Sequence, residues 1–233
     1  VPVLYVDYET NAQTFKYRIN RLLATMNRTL PHGRLHYWAA RGIPLAQQVP
    51  ALQRKIDKDG IFLVLVDSAA PACGGAPEES EITAAYFNAL AKLRVTTVTI
   101  AHITKAGETT KPLGSAMWHN LARRTWWFSK QTEEGSSAAD VAVVCRKVND
   151  GPLPKAIPIH LEFADPGGPI TIKRGDFSAT PELAQKALSF TAQLDQVRKS
   201  MDAFARQNIG SDAGEHGESA YYTHVEPDDV KGH

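Results

Sequence analysis

The chain has 233 residues, of which 43% are hydrophobic and 22% are charged, and its formal net charge is +1. This length suits one medium-sized domain with a sizeable core, or one domain with a tail, and the near-neutral charge excludes a globally basic surface made for nucleic acid. The sequence shows no signal peptide, no apolar run long enough to span a bilayer and no CxxC pair, so we expect a soluble protein of the reducing cytoplasm.

Strands and helices alternate in the first half of the chain. Strands are predicted from short apolar runs, and helices from apolar residues at helical spacing. The run at 61–66 is apolar at every position, as expected for a strand of a parallel sheet covered by helices on both faces. The alternation predicts an α/β doubly wound, mostly parallel sheet. In chain order, the predicted elements are strand 3–6, helix 15–26, strand 35–40, helix 45–56, strand 61–66, helix 82–93 and strand 95–103.

The second half predicts shorter strands and a different kind of pairing. A short helix around 117–121 precedes predicted strands at 125–128, 141–145, 157–163 and 170–173. An Asp-Pro-Gly-Gly turn joins the last two strands into a predicted hairpin. We therefore expect antiparallel strands at one edge of the sheet. The predicted domain organisation is a core at 1–177, a C-terminal helix at 178–209 and a polar, disordered tail at 210–233.

Polar residues follow three of the predicted strands. Glu9 comes after the first strand, Asp67 after the strand at 61–66, and His102 lies at the end of the strand at 95–103. In an open parallel sheet, ligands bind at the carboxyl ends of the strands. A carboxylate there needs a partner for its charge, and a magnesium ion arriving with nucleotide phosphates would supply one.

For each residue alone, a structural interpretation is favoured. Asp67 would then cap a turn with Ser68, and His102 would be an ordinary core histidine. The occurrence of suitable groups at three strand ends favours a common site.

Four segments carry a resemblance to a known family. The segments are VLYVDYET, IFLVLVDSAAPACGG, TVTIAHITK and GSAMWHNLARRTWWF, and the likeness covers roughly Val1 to Lys173. In order and spacing they resemble the RecA-like ATPases of the RepA and DnaB type, the hexameric replicative-helicase class, and especially AAA-type ATPases of phages and plasmids. This resemblance implies a RecA-like fold, ATP and Mg²⁺ as cofactors, a homo-oligomer such as a hexamer, and single-stranded DNA as a partner.

The resemblance also implies roles for the strand-end residues. Asp67 would end the Walker B strand and hold Mg²⁺, with Ser68 beside it in the nucleotide site. Glu9 would be the catalytic glutamate that polarises the attacking water. His102 would occupy the sensor position that couples the γ-phosphate to the following loop.

Basic residues are implied at a subunit interface. Arg123, with Arg124 nearly as good a candidate, would be the finger that reaches a neighbouring subunit's nucleotide, and Lys147 would be a second basic residue offered across the interface. Such a finger places positive charge where phosphoryl transfer builds negative charge. Plain surface solvation is the alternative for all three residues.

The loops that would face the central channel of a ring are 69–80 and 105–114. The second loop carries Lys105 and Lys111, which suit contacts with DNA phosphates, whereas the first contains acids and no basic residue. Two solvated loops are the alternative. We interpret Trp118, Trp126 and Trp127 as core or interface residues rather than base-stacking platforms, because apolar residues surround them.

One departure from the family pattern is the absence of GxxxxGK[ST] from the sequence. That loop supplies the backbone N–H groups and the lysine that bind phosphates, and in the family it precedes the strand with which this chain starts. We therefore expect a truncation before Val1, with a degenerate ATPase as the alternative, and poor ATP binding by the chain as given.

Three functions are compatible with these observations. The leading hypothesis is a Mg²⁺-dependent ATPase motor on DNA, such as a replicative helicase of a mobile element. The alternatives are a RecA-like ATPase that remodels protein assemblies and a non-catalytic interaction domain on the same fold.

Overall fold

The computed structural model describes residues 1–102, 116–164, 167–177 and 199. Except for residue 199, all of these belong to one compact unit, Val1–Leu188. The predictions for Lys105 and Lys111 lie outside the described residues, as do the tail at 210–233 and nearly all of the helix at 178–209.

A four-stranded parallel sheet organises the first half of the chain. Its strands are β1 (Val3–Asp7), β2 (Leu35–Ala39), β3 (Leu63–Asp67) and β4 (Thr96–Ile100), in the spatial order β2-β1-β3-β4. The predicted strands and the predicted α/β class are confirmed. β1 and β3 are neighbours in the sheet, although a strand and two helices separate them in sequence. Parallel strands cannot be joined by a tight turn, so the chain between them forms crossover connections.

The described helices are α1 (Ala12–Met26), α2 (Leu45–Asp59), α3 (Ala69–Cys73), α4 (Ser80–Lys92) and α5 (Met117–Leu121). Local sequence explains several of their ends. Asn11 caps α1 by accepting a hydrogen bond from the Thr14 N–H at 2.9 Å. Gly60 ends α2 in the left-handed conformation, at φ 61°, which suits a residue without Cβ. The loop predicted after β3 contains the short helix α3.

The core of this unit lies between the parallel sheet and the helices. Alternate residues of β1 and β3 are fully buried, and α2 and α4 bury apolar residues against them. Trp118 of α5 is 5% exposed and its indole N–H donates to the Pro77 carbonyl at 3.0 Å, so its prediction as a core residue is confirmed. The largest fully buried apolar side chains are Tyr86, Leu4, Leu45, Leu52, Leu93, Val6, Val64 and Val66.

The later strands pair with one another. They are β5 (Arg124–Gln131), β6 (Ala138–Val148), β7 (Ile157–Phe163) and β8 (Ile170–Arg174), and they form an antiparallel sheet in the order β5-β6-β7-β8. The predicted hairpin is confirmed as β7–β8. The antiparallel strands were expected at the edge of the parallel sheet, but they form a second sheet, because short connections let each strand pair with its neighbour in sequence.

Side-chain contacts connect this second sheet to α1. The guanidinium of Arg21 donates from Nε to the Gly168 carbonyl, and the Thr25 hydroxyl donates to the Ile170 carbonyl at 2.9 Å. No helix in the described part of the chain is long and apolar enough to cross a bilayer.

Gln48 is a buried polar residue of α2 that ties three elements together. Its side-chain Nε2 donates to the Tyr8 hydroxyl at 3.1 Å and to the Ile43 carbonyl at 2.6 Å, and its Oε1 accepts from the Trp38 indole at 2.7 Å. A buried group of this kind contributes little net stability while it is paired, but its removal leaves its partners without hydrogen bonds.

Replacing Gln48 with Leu is therefore expected to lower the free energy of unfolding by about 2 to 4 kcal/mol, since the Trp38 indole and the Ile43 carbonyl lose their partner. Urea denaturation measures this change. The matched control is Gln47→Leu at the adjacent, exposed position, where a change within about 0.5 kcal/mol is expected. Equal urea midpoints for the two variants would contradict this role of Gln48.

Candidate functional site

The carboxyl ends of β1 and β3 meet at one edge of the parallel sheet. Asp7 and Asp67, the last residues of these strands, are paired in parallel register. The ladder continues for one more residue, because the Tyr8 N–H donates to the Asp67 carbonyl at 2.6 Å. The predicted meeting of the strand ends that carry Glu9 and Asp67 is thus confirmed.

The Glu9 carboxylate is contacted by residues that follow β3 and β4. The hydroxyl of Ser68, a fully buried residue, donates to Glu9 Oε1, and His102 Nε2 lies 3.5 Å from the same oxygen. The Glu9 side chain is 39% exposed. The site therefore presents a carboxylate that is oriented on one side and accessible to water and ligands.

Asp67 is held by a tyrosine of the neighbouring strand. The Tyr5 hydroxyl donates to Asp67 Oδ2, and the peptide bond between Asp67 and Ser68 is cis. Burial, followed by the hydrogen bond to Asp67, raises the pKa of Tyr5 well above its usual value. The phenol therefore stays protonated and remains a hydrogen-bond donor to the carboxylate.

Asp7 organises the turn that carries Glu9. Its side chain is completely buried, and Oδ1 accepts from the backbone N–H groups of Glu9 and Thr10 at 2.9 and 2.7 Å. Oδ2 accepts from the Thr10 hydroxyl at 2.6 Å and from the Tyr37 hydroxyl at 3.0 Å. This pattern fixes the backbone of Glu9 relative to the strand end.

These contacts set the charge of Asp7. Burial raises the pKa of a carboxyl group, but the hydrogen bonds from Thr10, Glu9 and Tyr37 outweigh it, and the pKa of Asp7 falls below its usual value. The same contact acts in the opposite direction on the phenol: burial and the hydrogen bond to Asp7 raise the pKa of Tyr37 to about 12. Asp7 is therefore a buried carboxylate whose charge is stabilised by the hydrogen bonds that it accepts.

The site residues predicted from the sequence do not include Asp7, Tyr5 or Tyr37. The spacing of Asp7, Glu9 and Thr10 is a local signal, because an aspartate often accepts hydrogen bonds from the backbone two and three residues later. The contribution of Tyr37 could not be found in this way, since it depends on β2 lying beside β1.

The described residues suit a magnesium ion that takes most of its ligands from water and phosphate groups rather than from the protein. The described part of the chain holds no group of three or more His, Cys, Asp and Glu residues that could form a complete metal cage. Glu9 and Asp67 offer hard carboxylate oxygens at one edge of the sheet. Mg²⁺ prefers this chemistry, and in nucleotide sites it is held by one or two carboxylates together with phosphates.

The three basic residues predicted for a subunit interface lie around β5 and β6. Arg123 pairs with Asp150 at 3.3 Å, and both side chains are highly exposed. Arg124 is the exposed first residue of β5. Lys147 donates from Nζ to the carbonyls of His119 and Asn120 at 3.0 and 2.8 Å, which places its ammonium at the end of α5 within its own chain. Their action across an interface stays a prediction.

Comparisons with known proteins agree with this fold. Residues 1–108 match a family model described as an AAA domain. A solved structure of a KaiC-like protein from the hyperthermophilic archaeon Pyrococcus horikoshii OT3 is similar, with a TM-score of 0.52, 14% sequence identity and coverage of 74% of this chain and 75% of that chain. No curated protein matches the sequence. At this identity the structural likeness concerns the fold, which is RecA-like, and the two matches together support the P-loop ATPase superfamily. The narrower prediction of a RepA or DnaB type of helicase remains a prediction.

Replacing Asp7 with Asn tests its role in the site. At about pH 7 the variant is expected to lose about 2 to 4 kcal/mol of unfolding free energy, because an amide cannot accept all the hydrogen bonds that Asp7 accepts. The pKa of Asp7 is lowered in the folded state, so its contribution is complete above the ordinary aspartate pKa of about 3.9. It is lost as the pH falls through the lower, folded-state pKa.

Urea denaturation from about pH 7 down to about pH 3 measures this dependence. The difference between wild type and Asp7→Asn is expected to shrink towards the acid end. Asp57→Asn, at an exposed position of α2, is the control and is expected to change the unfolding free energy by less than about 0.5 kcal/mol at neutral pH. A wild-type advantage that stays constant across this range would be inconsistent with a charged Asp7.

Proposed function

We propose that this chain forms a Mg²⁺-dependent ATPase motor that works on DNA as a ring-shaped homo-oligomer, similar to hexameric replicative helicases. The observation that supports this most strongly is the placement of Glu9 beside Asp67 and Ser68 at the ends of adjacent parallel strands. Open α/β sheets bind their ligands at this edge.

Asp67 is the residue that would hold the metal of a Mg²⁺–ATP complex, with Ser68 beside it in the nucleotide site. The metal neutralises charge on the triphosphate when it is bound. The hydrogen bond from Tyr5 limits the rotation of the Asp67 carboxylate, so that one oxygen is already engaged within the protein. Asp67 is thereby oriented before any ligand arrives, which reduces the entropy lost on binding.

Glu9 is the residue that we propose orients and activates the attacking water. Ser68 engages Oε1, and Asp7 fixes the Glu9 backbone, so the carboxylate has one defined position at the edge of the sheet. A carboxylate placed in this way can accept a hydrogen bond from water and align it with a γ-phosphate. His102, which lies 3.5 Å from Glu9 Oε1, can report a change at Glu9 to the segment that follows it.

A phosphoryl-transfer transition state is stabilised by cations. The side chains that contact Glu9, Asp7 and Asp67 are hydroxyls and a histidine, and the one guanidinium described at this edge is that of Arg41, whose Nη2 donates to the Glu9 carbonyl at 3.4 Å. Arg123 is our leading candidate for a cation supplied to a neighbouring copy, because its exposed ion pair with Asp150 is worth only about 0 to 1 kcal/mol and is easily exchanged. Arg124 is the second candidate.

A RecA-like ATPase that remodels protein assemblies is the second candidate function. One similar solved structure is that of a KaiC-like protein, and this favours keeping the alternative. The two functions differ in their response to DNA. Stimulation of ATP hydrolysis by single-stranded DNA supports the motor, and an unchanged rate without DNA binding supports the remodelling ATPase.

Replacing Glu9 with Gln is expected to lower kcat for ATP hydrolysis by about 100-fold or more, because the amide cannot act as a base towards water. The protein expressed from its complete coding sequence is used, and phosphate release is measured with and without single-stranded DNA. The control is Glu79→Gln at an exposed position before α4, where kcat is expected to stay within about twofold. Undiminished hydrolysis by Glu9→Gln would remove Glu9 from the catalytic role.

A further inference from the structure

The outer face of the antiparallel sheet carries exposed aromatic side chains. Along β5, exposed and half-buried residues alternate strictly. Trp126 is 40% exposed and Phe128 is 62% exposed, whereas Trp127 points to the other face and packs against the buried cluster of Ala142 and Val144. Of the two interpretations of Trp126, as a core or an interface residue, the first is therefore wrong, because the strand turns neighbouring tryptophans to opposite faces.

Strand register extends this face across the sheet. Phe128 is opposite Val143, which is opposite Ile157 on the next strand. Ile157 and Ile172 are 44% and 48% exposed, while Val143 in the centre is buried. We call this surface the aromatic face. Its residues are Trp126, Phe128, Val141, Val143, Ile157, Ile159 and Ile172, with Lys130 and Arg174 at its borders.

The charges of the two sheet faces are separated. Lys130, Val141, Ile159 and Arg174 lie in one row across the sheet, so both outer strands contribute a cation to the aromatic face. The carboxylates within the four strands are Asp140 and Glu162, and alternation turns both to the opposite face.

On that opposite face, both carboxylates lie close to basic side chains. Asp140 is 2.7 Å from His160 Nδ1, and Glu162 accepts from Lys173 Nζ at 2.9 Å. They therefore do not compensate Lys130 and Arg174. The aromatic face combines exposed rings with a cation from each outer strand, and the acids nearest to these cations in sequence are Glu133 and Glu134 after β5 and Asp176 after β8.

We propose that the aromatic face binds single-stranded nucleic acid, with bases stacked on Trp126 and Phe128 and phosphates paired with Lys130 and Arg174. Residues two apart on one strand are separated by about 7 Å, which leaves room for a base on each ring. Stacking on exposed aromatic residues beside a cationic track is the usual basis of binding without sequence preference. Antiparallel sheets present aromatic residues in this way to unpaired bases.

A second copy of the chain is a poorer occupant of this face. Pairing the aromatic face with itself about a twofold axis would bring Lys130 and Arg174 against a surface whose strands supply no carboxylate. A polyanion with flat apolar bases matches both properties of the face. This inference deepens the proposed function, since it locates a surface for the DNA partner, but the binding itself requires no ATP hydrolysis.

Fluorescence anisotropy with labelled oligothymidylate, in the absence of nucleotide, tests the proposal. Trp126→Ala and Phe128→Ala are each expected to weaken binding by about 10-fold or more, because a stacked base loses its platform. Lys130→Ala and Arg174→Ala are each expected to reduce the slope of log affinity against log salt concentration by about 0.7. Phe128 is exposed, so its truncation is expected to leave the urea midpoint close to that of wild type.

Lys173→Ala is the matched control, because Lys173 is adjacent to Arg174 in sequence but lies on the opposite face, bound to Glu162. It is expected to leave the affinity and the salt slope unchanged. The proposal is overturned if wild type does not bind the oligonucleotide, or if only Lys105→Ala and Lys111→Ala weaken binding. It is also overturned if Trp126→Ala and Phe128→Ala lower the mass in light scattering without changing the affinity. If the protein binds the oligonucleotide through this face but does not hydrolyse ATP, the proposed binding surface is supported and only the ATPase proposal is contradicted.

Discussion

The parallel pairing of β1 with β3 is the constraint on which the rest of the site depends. The register sets Asp7 opposite Asp67, and the hydrogen bond from Tyr8 to the Asp67 carbonyl carries the pairing one residue past the strands. Glu9 and Ser68 then meet because each follows a paired residue. A shift of the β1 pairing by one residue would turn the apolar side chains of β1 from one face of the sheet to the other. The burial of Leu4 and Val6 therefore stabilises the register that forms the site.

The three carboxylates at this edge have different environments and therefore different roles. Asp7 is completely buried and saturated by donors, so it is ionised, inert and structural. Glu9 is 39% exposed and is held by a single short contact from Ser68. Asp67 lies between them in exposure, with Tyr5 on one oxygen. A buried polar network fixes one conformation only when each of its polar groups has hydrogen-bond partners. Asp7 meets that condition.

Much of the fold could be predicted from the sequence because its signals are local. The apolar run at 61–66 indicated β3, the spacing of Leu45, Leu52 and Ile56 indicated α2, and Asp-Pro-Gly-Gly marked the β7–β8 turn. Properties that depend on strand order were not accessible: the contact of Tyr37 with Asp7 requires β2 beside β1, and the second sheet requires the later strands to pair with one another. The exposure of Trp126 was missed because an apolar neighbourhood in sequence does not specify a face.

The convergence of Asp67 and Glu9 on one metal–nucleotide site is tested most directly by electron paramagnetic resonance of Mn²⁺, used in place of Mg²⁺, with ATP and the protein expressed from its complete coding sequence. Wild type is expected to immobilise Mn²⁺ in the presence of ATP, and Asp67→Asn is expected to weaken this binding by about 10-fold or more, because a metal-site carboxylate is lost. Unchanged Mn²⁺–ATP binding by Asp67→Asn would show that the ends of β1 and β3 do not form the site.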